Sequence, residues 1–165
     1  MGRAILRGLA MCLIGGPVWA QVDPQPDNRT VIGGGNQLLS SGADAIRAGF
    51  YDEGIRLTSL GLERRDNTDR DRAAALSNLC AAYAAKREPD TAIGHCTESL
   101  AVNPSNWRAF SNRAYAYWLK GMFAEASVDL NAAAALSPRA EQVAQIRAMI
   151  NEATLRPRIT LEEHQ

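Results

Sequence analysis

Residues 73–106, AAALSNLCAAYAAKREPDTAIGHCTESLAVNPSN, and residues 107–140, WRAFSNRAYAYWLKGMFAEASVDLNAAAALSPRA, are consecutive 34-residue blocks that agree at the same internal positions. Asn78 recurs as Asn112, Tyr83 as Tyr117, Ala92 as Ala126 and Pro104 as Pro138. A fixed period of this length predicts stacked α-helical hairpins, each too small to bury its apolar face alone and each supported by its neighbours. Such stacks present extended binding surfaces, so the period itself turns the functional expectation toward binding.

Working outward, Gly49-Phe50-Tyr51-Asp52-Glu53-Gly54-Ile55 matches Gly121-Met122-Phe123-Ala124-Glu125-Ala126-Ser127. The offset is 72 residues, two periods plus four, and the extra four fall in the charged turn Asp66–Arg72, where an insertion is tolerated. The expected all-α domain therefore spans 36–155, with hairpins at about 36–68, 73–106 and 107–137 and a capping helix at 138–154. Pro89 suits the first turn of a helix, where a missing N–H matters little. Ser105 is expected to cap the next helix, and Gly121 to end it in the left-handed conformation. In the capping helix, Val143, Ile146, Ile150 and Leu155 recur near helical spacing, opposite Glu141, Gln142, Gln145, Arg147 and Glu152. The tail, RPRITLEEHQ at 156–165, is expected to be poorly ordered.

The N-terminal end reads differently. Arg3 and Arg7 precede a short apolar stretch, GLAMCLIGGPV, and Val18-Trp19-Ala20 stands before Gln21. This is the layout of a secretory signal at 1–20, with an uncleaved signal anchor as the alternative and a lipid-modified Cys12 as a weaker one, since Met11 is bulky for a lipobox. Residues 21–35, QVDPQPDNRTVIGGG, read as a flexible leader. Their Gly33-Gly34-Gly35 does not make a dinucleotide-binding turn, because Leu38 stands where the third glycine belongs. The implied location is the periplasm of a bacterium or outside the cell.

Composition sets further bounds. The 165 residues carry 18 basic and 18 acidic side chains, which gives no nucleic-acid footprint. With 46% hydrophobic but only 6% aromatic residues, the core must be rich in alanine and leucine. Removal of residues 1–20 would leave a net charge of −2 and two cysteines, Cys80 and Cys96. These lie eight residues either side of Glu88, hence at equal height in an antiparallel hairpin, about 12 Å along each helix at 1.5 Å per residue. In an oxidising compartment they are disulfide candidates, the alternative being two separate buried thiols.

Leu76, Leu79, Tyr83, Ala92, Ile93, Leu100 and Pro104 resemble the tetratricopeptide repeat pattern, and Phe110, Ala114, Tyr117, Gly121, Phe123, Ala126, Leu130, Ala133 and Pro138 match it again. Cys80 departs from the usual Gly or Ala, and Cys96 from the usual bulky residue. The resemblance implies a concave face lined by the first helices of successive hairpins. Carried onto this chain, that face holds Ala74, Ser77, Asn78, Ala81 and Ala85, then Arg108, Ser111, Asn112, Tyr115 and Trp118, with Gln142 and Gln145 from the cap. Asn78 and Asn112 would hold an extended peptide backbone, and Tyr115 and Trp118 would anchor side chains or, alternatively, pack against the next helix. Some repeats of this kind grip a terminal carboxylate with Lys and Asn from the first hairpin, where this chain has Leu39 and Ala43, and with an Arg where it has Asn112. Only Asn78 and Arg108 match that clamp.

The expected function is an exported scaffold that binds a protein or peptide partner in this groove, or else a self-associating module of an envelope complex. No catalytic group, metal, cofactor, small-molecule substrate or nucleic acid is expected. His95 and His164 lack a nucleophile or carboxylate arrangement that would need them, and Glu98, three residues from His95, reads as a solvated neighbour.

Overall fold

A computed structural model describes residues 36–155. Among these residues there are seven helices and no strand: α1 (Gln37–Arg47), α2 (Tyr51–Leu62), α3 (Asp69–Ala85), α4 (Pro89–Val102), α5 (Trp107–Leu119), α6 (Phe123–Leu136) and α7 (Glu141–Leu155). None is long and apolar enough to cross a membrane. The signal, leader and tail assigned to 1–35 and 156–165 lie outside the described residues.

Each hairpin turns in the same way. Gly49, Arg87 and Gly121 take positive φ, and the next residue's N–H reaches back five places, from Phe50 to Ala45, Glu88 to Tyr83 and Met122 to Tyr117. This pattern closes the orphaned carbonyls at the end of a helix and reverses the chain in three residues. At the opposite end, Thr68 and Asp71 form a reciprocal capping box on α3. Asn36 and Asn106 cap α1 and α5. The cap expected at Ser105 is therefore shifted by one residue: the Ser105 N–H donates to Asn103 Oδ1, and the Asn106 side chain takes the capping role.

Small residues let the helices approach closely. Ala84, Ala92, Ala109, Ala114, Ala116, Ala126 and Ala133 are fully buried, and Leu130 and Ile146 fill the space between them. Every residue from Ala73 to Ala82 is buried, so α3 is enclosed on all sides and shows no amphipathic pattern of its own. In the first hairpin, Gly42, Gly54 and Gly61 replace the alanines. A Cβ at Gly42 would sit 2.3 Å from Thr58 Oγ1 and 2.9 Å from its backbone nitrogen. The first hairpin thus diverges in sequence because it packs backbone against backbone.

Cys80 on α3 and Cys96 on α4 are joined in a disulfide, with Cα atoms 5.3 Å apart. Both are completely buried, and Cys96 Sγ lies 3.0 Å from the Ala109 carbonyl oxygen of α5. The bridge thereby sits at the junction of the second and third hairpins.

Helix α7 begins at Glu141, three residues beyond Pro138, and buries Val143, Ile146 and Ile150. Two assignments on it are corrected. Leu155 is 78% exposed, because five residues beyond Ile150 it has rotated about 140° off the buried stripe. Gln142 belongs to the buried side, where its amide finds a partner on α5.

Candidate functional site: the concave face

The first helices of the hairpins form one layer: α1 touches α3, α3 touches α5, and α5 touches α7. The second helices α2, α4 and α6 each pack on the following first helix but do not reach one another. The first helices therefore occupy the shorter, inner arc, and their free side is the concave face.

Asn78 and Asn112 occupy equivalent positions on α3 and α5, and both are fully buried. Their roles differ. Asn112 Nδ2 donates to the Ser77 carbonyl at 3.3 Å, and Asn112 Oδ1 accepts from Gln142 Nε2 at 3.0 Å. This relay spans three inner helices, so Asn112 is a spacer that fixes the curvature of the face. The pairing of two equivalent amides expected from the repeat is corrected accordingly: burial and the two internal bonds commit Asn112 to the scaffold. Neither amide atom of Asn78 has a hydrogen-bond partner, and the hydroxyls of Ser77 and Ser111, also fully buried, lack one as well. A buried polar group left unpaired costs about 1–3 kcal/mol, which makes this cluster the conspicuous polar feature of the inner layer.

The aromatic pair is partly core. Tyr115 is buried and stacks on Trp118 with centroids 5.9 Å apart and planes within 10°. Trp118 is half-buried, packs against the core with one face, and has no partner for its indole N–H. Arg108 is half-buried too, its guanidinium 4.5 Å above the ring of Trp107. Ala74 and Ala81 are shielded from solvent, Ala85 is half-buried, and Gln145 is exposed. Leu39 and Ala43 are buried and apolar, so these α1 positions supply neither the Lys nor the Asn of a carboxylate clamp.

Two further clusters lie away from the face. Arg113 of α5 grips Asp129 of α6 through two nitrogens at 2.6 and 2.9 Å and reaches Thr97 Oγ1 of α4 at 3.0 Å. The Asp129 carboxylate raises the affinity of Arg113 for its proton, chiefly through the hydrogen bond. The same equal-height rule that pairs the cysteines identifies this ion pair, since Arg113 and Asp129 lie eight residues either side of Gly121. His95 stacks on Tyr83 with centroids 5.3 Å apart, and burial lowers its pKa against a smaller opposing pull from Glu98. No group of three His, Cys, Asp or Glu among the described residues is placed to hold a metal ion.

No protein-family model matches the chain. The DnaJ homolog subfamily C member 3 of Gallus gallus is 27% identical over 108 residues, 66% of this chain and 22% of that protein. The chain thus spans about a fifth of the length of the curated relatives it matches. The crystal structure of the P58(IPK) TPR domain superposes with a TM-score of 0.65 at 24% identity, covering 72% of this chain and 33% of that one. The first TPR of Spaghetti (RPAP3), bound to the HSP90 peptide SRMEEVD, superposes with a TM-score of 0.62 at 23% identity, covering 71% and 90%. These likenesses and the observed hairpins agree on the architecture: the fold is a tetratricopeptide-repeat stack of helical hairpins.

Proposed function

We propose that the chain is a non-enzymatic protein-interaction scaffold that holds an extended stretch of polypeptide on its concave face. The observation that carries this reading is the unpaired amide of Asn78, fully buried on the inner layer between the hydroxyls of Ser77 and Ser111. One amide offers two donors and one acceptor, which matches what an extended backbone presents to a groove. Trp118 and Arg108 at the edge supply the large, rigid surfaces on which such interfaces concentrate their energy. The peptide-bound neighbour supports the use of this fold for peptide capture. With Leu39 and Ala43 in the place of clamp residues, the ligand class we assign is an internal extended segment and not an acidic C-terminus.

No cofactor, small-molecule substrate or nucleic acid enters this reading. We also assign the protein to the periplasm or the outside of a bacterial cell. The signal-like residues 1–20 support that assignment, as does a buried disulfide, which persists in oxidising compartments. Cell fractionation with N-terminal sequencing checks it, Gln21 being the expected mature start.

The binding reading is tested with Trp118→Ala and Arg108→Ala. Each is expected to weaken capture of a reduced, carboxymethylated, unfolded polypeptide about tenfold, a loss of about 1.4 kcal/mol, with helical content unchanged. Undiminished capture by both variants contradicts the reading. A second reading, self-association, draws on a hollow of about 480 Å³ at the C-terminal end of the stack, lined by Ala134, Pro138, Ala140, Val143, Ala144 and Ala148. Sedimentation velocity across micromolar concentrations separates the two, since only self-association makes the sedimentation coefficient concentration-dependent.

A further inference from the structure

The concave face is better shielded than its helices account for. Ala74 is 5% exposed, Ala81 1% and Asn78 0%, all on α3, and Tyr115 of α5 is 3% exposed. Yet α1 does not touch α5, and α3 does not touch α7, so no described helix crosses the face above α3. Side chains from the flanking helices cannot satisfy the polar groups there either, since Asn78 remains unpaired.

We propose that the chain carries its own occupant for this face: the leader, residues 21–35, lies along the concave groove as an intramolecular pseudo-ligand. The inference rests on the groove reading given above and deepens it into a form of regulation. Three observations commit to this occupant. The leader joins the fold at Asn36, which caps the N-terminus of α1, the first helix of the inner layer. Its length suffices: at about 3.3 Å per residue it reaches about 50 Å, whereas α1 to α5 is two interhelical steps of about 10 Å and α3 is about 25 Å long. Its chemistry fits an extended ligand, because Pro24 and Pro26 favour extended backbone, Gly33-Gly34-Gly35 permits the chain to reverse beside α1, and Val31 and Ile32 are apolar. Asp23 and Asp27 supply acidic charge complementary to Arg108 at the edge of the face.

An internal ligand raises the apparent dissociation constant of an external one by the inverse of the fraction of molecules that are open. A groove closed nine-tenths of the time binds about tenfold more weakly than an open one. The scaffold is then self-limiting, and a partner must displace the leader to be held.

The test uses the full chain with the photo-crosslinker benzoylphenylalanine in place of Val31, irradiated at low concentration and mapped by mass spectrometry. Crosslinks within one molecule to α3 and α5, around Ala74, Ala81 and Tyr115, are expected. Crosslinks to α2, α4 or α6, or only between molecules, overturn the inference. In parallel, a full chain with residues 23–32 replaced by Gly-Ser repeats is expected to capture the unfolded polypeptide about tenfold more tightly than the natural chain, and equal affinity also overturns the inference. The two readings fail separately. Crosslinks in the groove with no polypeptide capture by either chain leave the internal ligand in place and remove the receptor function. Capture lost on Trp118→Ala, with crosslinks outside the groove, does the opposite.

Discussion

Arg87 adopts the left-handed backbone of Gly121, one period further along the chain, with φ of 63° against 73°. Both residues turn a hairpin, and in both the following N–H bonds five residues back. A side chain in this conformation costs roughly 1–2 kcal/mol, partly offset because a glycine loses more freedom on folding. Arg87→Gly is therefore expected to stabilise the protein by about 0.5–1 kcal/mol, as a shift in the urea midpoint at unchanged slope.

The Cys80–Cys96 bridge closes a loop of 16 residues in the middle of the stack. Loop-closure entropy for that length is worth about 3 kcal/mol. Reduction, or the paired change Cys80→Ala with Cys96→Ala, is expected to lower unfolding stability by about that amount while leaving the helical spectrum intact at 25 °C. The difference is read by denaturant titration with and without reductant.

Glycines in the first two hairpins have opposite meanings. Gly42→Ala places a methyl group against the backbone of α2 and is expected to destabilise by about 1–3 kcal/mol. Gly94, exposed in the middle of α4, has open space where its Cβ would stand. Gly94→Ala is expected to stabilise by up to about 1 kcal/mol, because alanine is the better helix former. Parallel thermal melts of the two variants check the sign of each.

His95 makes stability depend on pH in a defined direction. Burial lowers its folded-state pKa below the ordinary value of 6.5. Between the two values the unfolded chain binds the proton and the folded one does not, so stability falls as pH drops below about 6.5. Glu98 opposes this only in part. Exposed carboxylates with lowered pKa, such as Glu53 and Asp66, act only in more acidic solution. Denaturant melts at pH 7.5 and 5.5 are expected to differ for the natural chain and to converge in His95→Gln.

The period of 34 residues made the hairpin architecture legible, because helical spacing and turn glycines recur with it. Equal height about Glu88 made the cysteine pair legible for the same reason. The interior of the concave face was less so. Repetition put Asn78 and Asn112 on an equal footing, whereas the neighbours of the two amides differ: α7 brings Gln142 to Asn112, and no side chain comes to Asn78. The placement of Gln142 and Leu155 on α7 depended on the rotation of the final helix, which a short apolar pattern defines only to within a residue or two. Cap positions shifted for a similar local reason, since Ser105 and Asn106 are adjacent and only one can face the free N–H groups.

The central claim, capture of extended polypeptide on the concave face, is tested most directly by amide and indole NMR. The ¹⁵N-labelled full chain would be titrated with a reduced, carboxymethylated, unfolded polypeptide. Shifts are predicted at the Trp118 indole, the Asn78 side-chain amide and the backbone of α3 and α5 near Arg108. Shifts confined to α2, α4 and α6, or no shifts at millimolar ligand, would contradict the account.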